Sequence, residues 1–74
     1  MANIGRTRPA SDFCDRLRAL MEERGMTQSG LARRLGVGRT CVNYWCWGIS
    51  EPRIGTLLRI RRLLGCEWDE LLGR

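Results

Sequence analysis

Apolar residues recur along this chain at the three- and four-residue intervals of helices, with no sustained alternation of the kind a half-buried strand shows. Phe13, Leu17, Leu20 and Met21 stand at i, i+4, i+7 and i+8. They form one stripe of a first helix that begins after Ser11 as N-cap, with Asp12 in its first turn, and runs to about Arg24 before Gly25. A second helix is predicted from the N-cap Thr27, with Leu31, Ala32 and Leu35 turned inward, and it ends at Gly36, whose tolerance of positive φ suits a tight turn. Gly30 inside it costs up to about 1 kcal/mol of helix propensity. A third helix, about Arg39 to Trp47, sets Val42, Trp45 and Cys46 on its inner side and is closed by Gly48. Pro52 opens a fourth, lined on one face by Ile54, Leu57, Leu58 and Leu64 and stopped by Gly65; a last turn, Glu67 to Leu72, adds Trp68, Leu71 and Leu72. Residues 1–10 carry no period and contain Gly5 and Pro9, so they read as a flexible arm ahead of a single helical domain, 11–74.

Charge changes this picture more than bulk composition does. At 43% hydrophobic and 28% charged, the 74 residues suit one small globular domain with one core. All 13 basic residues are arginine, and the net charge is +5. The excess sits in the middle: Arg24 to Arg62 holds eight arginines against the single acid Glu51. A pI near 9.8 predicts attraction to polyanions, nucleic acid or an anionic membrane surface. No apolar run resembles a signal peptide or reaches the roughly 20 residues that span a bilayer, so a soluble, cytoplasmic protein is expected. Cys14, Cys41, Cys46 and Cys66 form no CxxC pair and have no histidine beside them. Cys41 and Cys46, at about 100° per helical residue, point roughly 140° apart and can neither chelate together nor bridge. All four read as reduced packing thiols, with no metal and no cofactor implied. Lacking histidine and clustered carboxylates, the chain also lacks the usual acid-base and nucleophilic constellations, so an enzyme is not expected.

Two helices joined by a short turn containing glycine make a helix-turn-helix. The unit here is TQSGLARRLGVGRTCVNYWCWG, Thr27 to Gly48. Ala32 is the small residue where the helices cross, Gly36 makes the turn, and Leu31, Leu35, Val37, Val42 and Trp45 hold the pair to the body. The helix-three face opposite Val42 and Trp45 carries Arg39, Thr40, Asn43, Tyr44 and, one turn on, Trp47. On these residues, and on the flanking LRALMEERGMTQ and EPRIGTLLRIRRLLGCEWDELL, the chain resembles the Cro and phage-repressor helix-turn-helix family, the XRE-type regulators, from about Phe13 to Leu72. The resemblance implies an all-α, five-helix, lambda-repressor-like fold whose third helix reads base edges in the major groove. It maps base reading to Arg39, Thr40, Asn43 and Tyr44, with Gly38 allowing close approach. Arg39 can donate twice to guanine O6 and N7, and Asn43 can pair with adenine N6 and N7. Gln28 resembles the family's phosphate-binding glutamine; Thr27, beside a positive helix end, and Arg53 add backbone contacts. Trp47 stacks on the sugar-phosphate, packs in a dimer or lies on the surface. Arg6 and Arg8 in the arm can reach further along a duplex.

The resemblance also shows departures. Many members pair an arginine at the Met21 position with a glutamate at the Cys46 position; here an apolar Met21–Cys46 contact is expected instead. Arg61 stands where a small apolar residue is common and must snorkel or find an acid. Glutamate is usual at Gly30 and serine at Gly38. The leading expectation is a sequence-specific DNA-binding regulator, a Cro-like repressor acting as a homodimer on a palindromic operator with half-sites about 34 Å apart. The alternatives are an antitoxin-like or adaptor module that docks a protein through Trp47, Trp68 and Leu72, and a redox sensor using Cys41.

Overall fold

The computed structural model describes residues 10–72, with side chains from 13 onward. Among them the chain forms α1 (Ala10–Glu23), α2 (Gln28–Leu35), α3 (Arg39–Cys46), α4 (Ile54–Leu64) and α5 (Trp68–Leu72), and no strand. Each helix is held by an apolar stripe too short to be stable alone, so the five must share one core. Every helix gives that core at least one side chain with no solvent exposure: Leu17, Leu31, Val42, Cys46, Ile60 and Leu71. At about 1.5–3 kcal/mol per fully buried large aliphatic side chain, these few positions decide whether the domain folds. α2 packs on α3, and α1 lies against both α3 and α5.

The helix boundaries follow local chemistry. Thr27 accepts a hydrogen bond from the Gly30 N–H at 3.0 Å and so caps α2, as expected. Gly36, at φ 75°, sends its N–H back to the carbonyls of Ala32 and Arg33 and turns the chain toward α3. Two boundaries differ from expectation. α1 already includes Ala10, so Ser11 is inside the helix rather than capping it. The remainder of the arm, with Arg6 and Arg8, and the side chains of Ser11 and Asp12 lie outside the described residues. α4 starts at Ile54 after Arg53, which has extended backbone (φ −71°, ψ 163°) and whose carbonyl accepts the Leu57 N–H at 2.8 Å; Pro52 precedes the cap.

The inward face of α4 is a correction. Ile54 is 81% exposed and Leu58 also faces solvent, while Ile60 and Leu64 are buried with Leu57 packed against them. The packed row is therefore 57, 60 and 64, spaced i, i+3, i+7. Ile54 falls in the first turn, beyond the reach of the core.

Arginine closes the helix ends. Arg18 Nε donates to the Cys46 carbonyl at the end of α3 (3.0 Å). Arg24 donates to the Leu64 and Gly65 carbonyls after α4 (2.7 and 3.4 Å), and Arg59 to the Arg34 carbonyl in α2 (3.3 Å). The last carbonyls of a helix lack internal partners and carry partial negative charge, which suits a guanidinium donor. Arg61 found no acid: it lies 5.2 Å over the Trp68 ring and donates to the Cys66 carbonyl at 3.3 Å. Only Arg18–Asp15 and Arg24–Glu23 form ion pairs among the described residues. No described helix is long and apolar enough to cross a membrane.

Candidate nucleic-acid interface

α3 separates two kinds of surface. Val42, Trp45 and Cys46 are buried, and their packing pins the helix against α1 and α2. At about 100° per residue the opposite arc falls to Thr40, Asn43, Tyr44 and Trp47, with Arg39 at its edge in the first turn. Arg39 and Thr40 are exposed, Tyr44 is 42% and Trp47 57% exposed, and Asn43 is half-buried. The structure thus sets Thr40 and Tyr44 outward, with Asn43 half-buried beside them and Arg39 exposed at the edge of the arc.

Gly38 is the N-cap of α3 and provides no side-chain cap. Its φ of −75° suits any residue, and an added Cβ would meet nothing within 4 Å of the chain. The fold itself does not require glycine here, which leaves the α3 N-terminus bare to whatever approaches it.

The expected backbone-contacting residues have different fates. Thr27 uses its hydroxyl oxygen as an acceptor for Gly30, leaving the hydroxyl proton free to donate outward. Gln28 is half-buried at the start of α2, with Cys46 close by. Arg53 is exposed at the start of α4. Trp47 donates its indole N–H to Asn43 Oδ1 at 3.0 Å, while its ring lies 4.7 Å beneath the Arg18 guanidinium.

Arg18 has the strongest hold on this face, and the sequence reading missed it. It pairs with Asp15, caps the Cys46 carbonyl and covers Trp47. Asp15 is a local i,i+3 partner, but the Cys46 carbonyl lies 28 residues away in sequence, so no local pattern announces the tie to α3. The Asn43–Trp47 bond did have a signal, since residues four apart meet on a helix surface.

Beneath the face the sulfur chemistry is quiet. The Cys46 sulfur is 3.9 Å from Met21 Sδ, the expected apolar contact in place of an ion pair. Burial pushes the Cys46 thiol up, with Cys14 adding to the shift and Arg18 and Gln28 opposing it. Burial, aided by Glu70, raises the Cys66 thiol as well. No disulfide joins the four cysteines, and Cys41 alone of them is exposed.

A family model described as helix-turn-helix matches residues 17–71, from the middle of α1 to α5. The chain belongs to the Cro and phage-repressor helix-turn-helix family. No curated protein and no solved structure matches the chain. Membership carries the lambda-repressor-like fold, double-stranded DNA as partner and a role in transcription regulation. In helix-turn-helix proteins generally, the second helix of the motif is the one that lies in the major groove.

Proposed function

We propose that this helix-turn-helix protein is a Cro-like repressor that reads the major groove with α3, binding as a homodimer to a palindromic operator. The observation that carries the reading is the exposure of Arg39, Thr40 and Tyr44, with half-buried Asn43 beside them, while Val42, Trp45 and Cys46 anchor the other side of α3. Arg39 supplies the two donors that guanine O6 and N7 accept, and Thr40 and Tyr44 offer hydroxyl or apolar contact to neighbouring bases. Gly38 lets the helix start approach the base edges. Thr27, Gln28 and Arg53, at the starts of α2 and α4, hold phosphates. Trp47, held under Arg18, keeps an exposed ring edge for the sugar-phosphate. A single reading helix covers few base pairs, so useful specificity calls for two copies with half-sites about 34 Å apart. Its action as a repressor is occupancy of the operator in the cytoplasm rather than catalysis.

Selection from random duplex DNA at two salt concentrations tests this. An enriched palindrome is the expected result, with Arg39→Ala weakening binding about 5- to 150-fold and relaxing one base position in each half-site. No enrichment, or an Arg39→Ala variant with an unchanged base profile, refutes the reading.

A further inference from the structure

We infer that Trp47 is a positioning residue that sets the base preference of Asn43 by locking which way round its amide faces. This inference rests on the base-reading role proposed above for Asn43. A side-chain amide carries a donor at one end and an acceptor at the other, and a free one turns over to suit the base it meets. An indole N–H can only donate. Its 3.0 Å contact with Asn43 therefore demands the amide oxygen and sends Nδ2 to the other side.

The lock is itself anchored. The Trp47 ring lies 4.7 Å under the Arg18 guanidinium, and Arg18 is held by the Cys46 carbonyl and by Asp15. Turning the amide over breaks the Trp47 bond and sets two donors face to face. Asn43 thus presents a donor to DNA, and the base edge it meets must offer an acceptor: a purine N7, guanine O6 or thymine O4. Cytosine, whose major-groove edge presents the N4 amino donor, is rejected. The indole fixes the amide, the amide fixes a donor toward DNA, and the donor excludes cytosine alone.

The test compares full base-preference profiles of the wild-type chain, Asn43→Ala and Trp47→Phe. Phenylalanine keeps an aromatic ring beneath Arg18, though a smaller one, and has no N–H. Asn43→Ala identifies the position that Asn43 reads. There the wild type disfavours cytosine by about tenfold, the scale of one neutral hydrogen bond, and Trp47→Phe shrinks this to under about threefold while other positions keep their preferences. Should Asn43→Ala change no position, the base-reading role of Asn43 fails. Should it flatten one position while Trp47→Phe leaves the cytosine penalty intact, or should the wild type favour cytosine there, the lock is overturned and the reading role survives. Hydrogen exchange of the Trp47 indole in free protein covers the case of a poorly folded Trp47→Phe: faster exchange in Asn43→Ala supports the lock, and unchanged exchange overturns it.

Discussion

Replacing Cys46 by glutamate probes the junction of α1 and α3 that supports the reading helix. Cys46 has no solvent exposure and its sulfur lies 3.9 Å from Met21 Sδ, so the new carboxylate would be placed in an apolar setting. An unpaired charge in such a place costs about 3–5 kcal/mol. Arg18 and Gln28, the polar groups in reach, hold the cost toward the lower end. A domain of this size has about 4–11 kcal/mol of stability in all, so much of it is lost. At roughly 4–8 °C per kcal/mol, thermal unfolding followed by circular dichroism at pH 7 should shift down by more than about 12 °C. Acidification should recover part of the loss. Burial raises the new carboxyl above its unfolded value, so the folded chain takes up a proton first as pH falls, and the penalty shrinks. Adding Met21→Arg restores the ion pair common in the family, and the double variant should regain about 2–3 kcal/mol over Cys46→Glu alone. A Cys46→Glu protein melting within about 4 °C of wild type would show that the junction is wet and the packing argument wrong.

Three further outcomes are expected. Gly38→Ser should stabilise the fold by about 0.5–1 kcal/mol, by capping α3 and by restricting the unfolded chain, while weakening DNA binding; tighter binding would remove the case for close approach at that position. In native protein at pH 8, a thiol reagent should label Cys41 quickly, and Cys14, Cys46 and Cys66 only on unfolding; fast labelling of a second thiol would contradict the burial. Because burial holds the Cys46 and Cys66 thiols protonated to higher pH than in the unfolded chain, stability should be full below the ordinary thiol range and fall as pH rises through it, and a flat urea midpoint from pH 8 to 10 would refute this.

The helix-turn-helix was legible because its constraints are local. Thr27 as cap, Gly36 in the turn and the inward Val42, Trp45 and Cys46 all follow from spacing and conformational preference within one short stretch. Even Met21 against Cys46 was foreseeable, since two complementary departures from one ion pair imply each other. α4 was misread because periodicity gives a stripe without saying where a neighbour stops covering it. Ile54 and Leu58 look as apolar as Ile60, yet only contact with the other helices distinguishes them. The arginines were least legible of all. Arg18 and Arg24 reach carbonyls 28 and 40 residues away, and a carbonyl is present at every residue, so no side-chain pairing rule points to the partner.

Guanidinium groups resting on main-chain oxygens have a consequence for how this protein responds to ionic strength. Screening ions weaken attraction between opposite full charges, but short directional bonds to peptide dipoles at the ends of α2, α3 and α4 are much less exposed to that competition. Grip on a phosphate polymer, by contrast, depends on displacing its counterions and fades steeply with added salt. The same residue type therefore serves a salt-tolerant architecture and a salt-sensitive attachment, so that the molecule can let go of its target long before it loses its shape. Lysine cannot take over the first of these roles, because a compact ammonium has no planar fork with which to span adjacent carbonyls.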